Sequence, residues 1–293
     1  MTLKDAAEFE VMGEIIKQRL AGRSAAYFTN PGNLGDALIE AGSLAFLKSN
    51  GISCRLQNSR KLRDLHAKHY KLAYAKGLSL RVLSGGLHRK YPLTLRNVAK
   101  EHDVAIVCGS GGFANQARVA MQIVELCAEW FSDVIVLPTT YSIAPELPKH
   151  VLLFARDRYE SLETIPAATF CHDMAFYLEP PVIAPERRVG YHIRTDVESS
   201  GELPLPRENL DVSAEGTELD PIDRLFGEVG KSEQIVTDRL HVCIAATLLG
   251  RRVYLFRGNY FKIEAIYKSS LQPYFPNVSL LDHWQQLPAE VRR

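Results

Sequence analysis

The sequence predicts an α/β protein of two doubly wound, Rossmann-like domains facing a cleft. Three features carry that expectation. Apolar strand-like runs alternate with amphipathic helical segments, glycine-rich turns follow two of the strands directly, and a proline-rich stretch divides two such series. The chain has 293 residues, ample for two domains of ordinary size.

The opening segment carries Phe9, Met12, Ile15, Ile16 and Leu20 at helical spacing, which reads as a docking helix. AAYFTN (25–30) reads as the first strand. It runs through PGNLGD into a helix over 37–51 that Gly51 closes. Strands follow at 52–57 and 104–113, the latter entering a second glycine-rich turn, then a helix over 115–131. Further strands are expected at 134–138 and 150–157. Pro180, Pro181 and Pro185 break the pattern, so the boundary is placed between a domain of residues 1–182 and one of residues 183–293. A strand restarts at 189–196. Residues 196–223 hold nine acids against one base and read as a solvated, mobile loop. A helix (222–233), a strand and turn (234–239), a helix (240–250), a strand (251–256) and a last helix (262–272) complete the second series.

Composition excludes several classes. The net charge of +1 offers no global attraction to nucleic acid or to an anionic membrane. Acids interrupt the N-terminal segment, so it does not read as a signal peptide, and no apolar run approaches the ~18 residues that cross a bilayer. Five widely spaced cysteines fit reduced thiols, and a cytoplasmic location is expected. No His/Cys spacing suggests a metal, and no cofactor is implied.

Open parallel sheets bind ligands at the carboxyl ends of their strands. The candidate residues are therefore those just after each strand. Asn33, Gly35 and Asp36 sit between the first strand and its helix, where glycine admits close approach and the helix terminus offers N–H groups. Asp36 is equally readable as a helix cap. Gly109, Ser110, Gly111 and Gly112 form the second such turn. No Gly-Lys-Ser/Thr follows either, so neither is a nucleotide P-loop. Arg156 and Asp157 end the strand at 150–157 and are placed at the cleft rim. Arg194, Arg239, His241 and Lys262 occupy three successive loop positions on one edge of the second series. Asp196 is placed to orient Arg194, and Asp238 to cap the turn. His172 and Asp173 follow a short strand near the junction, a pairing more often structural than catalytic.

Taken together, GNLGDALIEAG, CGSGGF, the proline of VIVLPTTYS, ARDRYES, CHDMAF, YHIRTD, VTDRLHVCIAATLLGRRVYLF and the lysine of YFKIEAIY resemble the polysaccharide pyruvyltransferase family across roughly residues 27–268. The Asp-Arg-Leu-His segment is the most specific. Two departures fall in the first series: Ser110 interrupts what is commonly a triple glycine, and Pro138-Thr139-Thr140-Tyr141-Ser142 stands where the family commonly has Pro-Gln-Ser. The resemblance implies a fold similar to the B-type glycosyltransferases, with the sugar acceptor in the first domain and phosphoenolpyruvate in the second. The acceptor it implies is a sugar, free or lipid-linked, the latter with peripheral contact to the membrane. Phosphoenolpyruvate concentrates a carboxylate and a phosphate on few atoms and needs several cations. Arg194, Arg239, Lys262 and Arg156 are the expected donor-binding residues. His241 is the expected acid/base and Asp36 a second catalytic group toward the acceptor. Asn33, Gly35, Gly111 and Gly112 would form the acceptor loops. No step requires a metal. The competing readings are a nucleotide-sugar glycosyltransferase of the same architecture and a partner protein that has lost activity.

Overall fold

A computed structural model describes residues 3–59, 91–111, 118–196, 199 and 201–292. Helix α1 (Ala7–Leu20) buries Phe9, Met12, Ile16 and Leu20, as the apolar spacing requires, and ends where Ala21 turns left-handed at φ 48°. Strands β1 (Ala25–Phe28), β2 (Cys54–Gln57), β3 (Val104–Val107), β4 (Asp133–Thr139), β5 (Val151–Ala155) and β6 (Thr169–Phe170) form one parallel sheet in the order β2-β1-β3-β4-β5-β6. The register puts Ala25 between Cys54 and Val104. β1 and β3 are buried along their whole length, which explains their unbroken apolar runs. β2 lies on the edge and is only half-buried at Cys54 and Gln57, with Arg55 and Leu56 exposed.

Helix α2 (Leu34–Ser49) follows β1, α3 (Tyr91–Glu101) precedes β3, and α4 (Arg118–Trp130) follows it. A second parallel sheet comprises β7 (Arg187–His192), β8 (Ser232–Thr237), β9 (Arg252–Phe256) and β10 (Val278–Leu281) in the order β10-β9-β8-β7. Strands through Phe170 thus belong to one sheet and those from Arg187 to the other. β10 was not anticipated, having only four residues, of which Val278 alone is buried. After it, Trp284 stacks on Phe256, and Tyr191 donates its hydroxyl to the Val291 carbonyl, closing a small apolar cluster.

One apolar cluster runs through both sheets. It joins Tyr27, Leu38 and Phe46 to Ile235, Ile244 and Val253. α2 packs on α7 (Leu240–Leu248), the helix after β8. Burial of this kind is worth about 25 cal/mol per Å² of apolar surface, so the two sheets are held by packing as well as by the linker.

Two expectations are corrected. The acidic segment 196–223 is not simply a solvated loop. Asp211, Val212 and Glu218 are buried, and Val212 belongs to the shared core. Thr217 pairs by an isolated antiparallel bridge with Asn33, so this segment is strapped across the turn after β1. Arg156 does not lie at a rim either, since it is wholly buried. Among the described residues no helix is long and apolar enough to cross a membrane. Of the five free cysteines, four are buried and Cys54 is half-buried.

Candidate functional site

In the first sheet the strand order reverses between β1 and β3, and both glycine-rich turns leave at that point, as the switch-point rule for open sheets expects. The Asn30 side-chain amide donates to the Cys108 carbonyl at 2.6 Å and ties the two turns together. Asn33 caps α2, its Oδ1 accepting from the Gly35 N–H at 2.7 Å, while Asp36 Oδ2 accepts from the Asn33 N–H at 2.9 Å. This reciprocal box accounts for the start of α2 at Leu34 rather than at 37. Asp36 is therefore committed to the turn by its carboxylate, and its expected role toward an acceptor hydroxyl gains no support from its contacts. Glu218 Oε2 accepts from the Gly32 N–H at 2.9 Å and fastens the acidic strap to the same turn.

The second turn is held from below. The Ser110 N–H donates to Thr139 Oγ1 at 3.2 Å, and Thr140 Oγ1 accepts from Arg156 Nε at 2.7 Å. The two threonines that depart from the common family pattern thus position the turn and the arginine. Arg156 Nη1 donates to Asp173 Oδ2 at 2.7 Å. Its Nη2 is buried and has no hydrogen-bond partner among the described residues. A guanidinium nitrogen left so costs free energy unless something else satisfies it. A Cβ added at Gly111 would stand 3.3 Å from this Nη2 and 3.8 Å from Lys262 Nζ. Two cations from opposite sheets therefore converge on a space kept open by a glycine. Gly112 lies outside the described residues.

Asp173, the residue least marked in the sequence, links this cation to the expected acid/base. Its Oδ2 lies 3.5 Å from His241 Nε2 as well as binding Arg156, and its Oδ1 accepts from the Ala175 N–H at 2.9 Å. Burial alone would raise its carboxyl, but the interaction with His241 and the Arg156 charge outweigh that and hold it well below the usual carboxylate range. His241 lies in the first turn of α7 and faces the α2 terminus. A Cβ at Gly35 would come within 2.7 Å of His241 Nδ1. The neighbouring His172 takes a different path. It packs among Phe9, Phe170 and Tyr274, its Nδ1 shares a hydrogen bond with Ser270, and burial lowers its pKa to about 4. Asp157, expected beside Arg156 at the rim, instead accepts from the Ser161 N–H at 2.9 Å at the start of the short helix α5 (Glu160–Thr164).

On the second sheet, Arg194, Asp238, Leu240, Gly258, Tyr260 and Lys262 line a small pocket at the carboxyl ends of β7, β8 and β9. Asp238 Oδ1 accepts from the Arg194 N–H at 2.7 Å and holds the loop after β7 to that after β8. Lys262 Nζ lies 4.9 Å from the centroid of the Tyr260 ring. Arg239 differs from what the sequence suggests. It is the N-cap residue of α7, buried, with Nε and Nη2 bound to the two oxygens of Asp211 at 2.9 and 2.6 Å and Nη2 also 2.9 Å from Asp196. A fork facing two carboxylates is occupied already, so as an anion clamp Arg239 is disfavoured. Arg194 Nη1 lies 3.6 Å from Asp196, consistent with the expected pairing.

The polysaccharide pyruvyl transferase family model matches residues 33–260. The chain belongs to this family. Its match starts at the cap of α2 and spans Arg156, Asp173 and His241, stopping two residues before Lys262. Among solved structures, a functionally uncharacterized protein from Klebsiella pneumoniae subsp. pneumoniae NTUH-K2044 is similar, with a TM-score of 0.67 at 19% identity, covering 94% of this chain and 99% of that one. That likeness bears on the fold alone. A comparison with curated proteins returns no match.

Beneath the first-sheet turns, this family member buries a further polar cluster. Glu40 on α2 receives the Tyr27 hydroxyl at 3.1 Å, and Ser43 Oγ lies 3.9 Å from Cys108 Sγ. Glu40 Oε1 is buried without a hydrogen-bond partner among the described residues, and burial pushes the carboxyl up to about 7. Burial also raises the Cys108 thiol well above its ordinary range, so it is no nucleophile near neutral pH. Among the described residues no group of three His, Cys, Asp or Glu side chains is arranged to hold a metal ion.

Proposed function

We propose that this pyruvyl transferase moves the pyruvyl group of phosphoenolpyruvate onto two hydroxyls of a sugar in a polysaccharide or its precursor, forming a cyclic ketal and releasing phosphate. The observation that carries the reading is the unpartnered Arg156 Nη2 converging with Lys262 Nζ on the space beside Gly111. A small ligand with two anionic groups suits two convergent cations in a site largely removed from water. Arg194 lines the adjoining pocket and would serve the second anionic group.

In this reading His241 delivers a proton to the methylene carbon of the donor, which becomes the methyl group. The neighbouring carbon gains oxocarbenium character and is attacked by one sugar hydroxyl. A second hydroxyl closes the ketal as the C–O bond to phosphate breaks. One hydroxyl proton replaces the one given by His241 and the other leaves with phosphate. General acid–base help of this kind contributes typically ~10²–10⁴-fold. The turns at Asn33–Gly35 and Gly111 face the acceptor. The two sheets act as two domains, 1–182 and 183–293, in the manner of B-type glycosyltransferases, with the substrates between them. Such a reaction belongs on the cytoplasmic side, on an acceptor that is free or lipid-linked.

The test is turnover. Purified protein is incubated with phosphoenolpyruvate and a panel of pyranosides carrying free hydroxyl pairs, and sugar-dependent phosphate release is followed together with the mass of the sugar product. Release matched by a pyruvate ketal supports the reading. Consumption of a nucleotide sugar in place of phosphoenolpyruvate would sink it.

A further inference from the structure

We propose that Asp173 is a positioning residue that fixes His241 with its hydrogen on Nε2 and leaves Nδ1 as the nitrogen that works on substrate. The role given to Nδ1 rests on the function proposed above; the geometry behind it does not. His241 Nε2 is buried and makes no hydrogen bond within ordinary limits among the described residues, and the acceptor brought to it is Asp173 Oδ2 at 3.5 Å. Catalytic hydrogen bonds are often this long before substrate binds and shorten in the complex. Which imidazole nitrogen carries hydrogen is set by the partner of the other, and a carboxylate demands a donor. Asp173 is itself anchored from two further sides. The Ala175 N–H holds Oδ1 at 2.9 Å, and Arg156 Nη1 holds Oδ2 at 2.7 Å.

The opposite face of the ring supports the same assignment. Gly35 covers Nδ1 with no side chain, whereas any Cβ there would stand 2.7 Å from that nitrogen. The glycine therefore lets Nδ1 lie against the terminus of α2, the side from which an acceptor would enter. Asp173 also joins the two tasks of the site. One carboxylate oxygen meets both the cation beside Gly111 and the ring that moves the proton. A shift of either is transmitted to the other through a single atom.

The first measurement is nitrogen NMR on the full chain with labelled histidine, with the His241 signals assigned by their loss in His241→Gln. The neutral ring of the wild-type protein should show the Nε2–H tautomer; an Nδ1–H tautomer would overturn the proposal. The second is kinetic. Asp173→Asn cannot present acceptors to Ala175, Arg156 and His241 together, and should lower kcat by about 10²-fold or more and change the His241 tautomer ratio. A folded Asp173→Asn protein with unchanged kcat and tautomer would also overturn it. The tautomer is read without substrate. An Nε2–H ring in a protein that never consumes phosphoenolpyruvate would thus defeat the functional reading and leave the positioning intact.

Discussion

Arg156 and Arg239 are both buried arginines at the carboxyl edge of a parallel sheet, and they differ in how many carboxylates meet them. Arg239 is met by Asp211 through two nitrogens and by Asp196 as well. Arg156 is met by one oxygen of Asp173 and by the Thr140 hydroxyl, with Nη2 unmatched. The lesson is one of local charge balance. A buried guanidinium already neutralised holds the fold together, whereas one with a nitrogen left over is prepared for an incoming anion. Asp211 belongs to the acidic strap, so Arg239 fastens that strap to α7. Burial would raise the Asp211 carboxyl, yet the hydrogen bonds from Arg239 and Thr195 prevail and lower it.

The sharpest separation of catalysis from structure comes from His241. Changing it to alanine should reduce turnover by about 10²–10⁴-fold with unfolding little altered, since the side chain fills no core position. A variant that keeps more than a tenth of wild-type kcat would remove His241 from the chemistry. Arg239 should behave in the opposite way. Arg239→Met leaves Asp211 buried and unpaired and should cost about 3–5 kcal/mol of stability in urea unfolding. The folded fraction should retain its affinity for phosphoenolpyruvate; a selective loss of affinity with stability unchanged would reverse the roles assigned to the two arginines.

Glu40 provides a smaller test, away from both arginines. Its carboxyl ionises at about 7 in the folded protein against 4.5 for an ordinary glutamate, because burial penalises the charge. The folded chain therefore binds more protons than the unfolded chain between those values. The stabilising contribution is complete below about pH 4.5 and declines as pH rises through about 7. Glu40→Gln stays neutral throughout and should gain about 1–3 kcal/mol over wild type at pH 8, with little gain at pH 5. Equal differences at both pH values would mean that packing, not ionisation, dominates at this position.

Much of this architecture is legible in the chain because it rests on local signals. The apolar runs of β1 and β3 end in glycine turns, and the helix after β1 is visible in its apolar spacing although it starts at Leu34, three residues before the expected 37. The acidic strap misleads because burial of Asp211 depends on Arg239, 28 residues away. Nine carboxylates in one stretch give no local sign of which one is matched. The part Asp173 plays, as distinct from its presence after a short strand, is hidden for the same reason. Its partners come from the ends of β5 and β8, and only the folded sheets bring Arg156 and His241 to one oxygen. β10 is short and half-exposed, so it lacks the apolar run that announces its neighbours.

Whether Arg156 and Lys262 hold phosphoenolpyruvate is decided by calorimetric titration with phosphoenolpyruvate, and in parallel with a uridine diphosphate-sugar, of the wild-type protein and of Lys262→Met. Lys262 stands across from Arg156 at Gly111 and contributes no core contact that its aliphatic replacement lacks. Phosphoenolpyruvate should bind the wild type saturably and Lys262→Met more weakly by about 1.5–3 kcal/mol, roughly 10- to 150-fold in Kd. Binding of the nucleotide sugar alone, or phosphoenolpyruvate binding indifferent to Lys262, would contradict that role for the two cations.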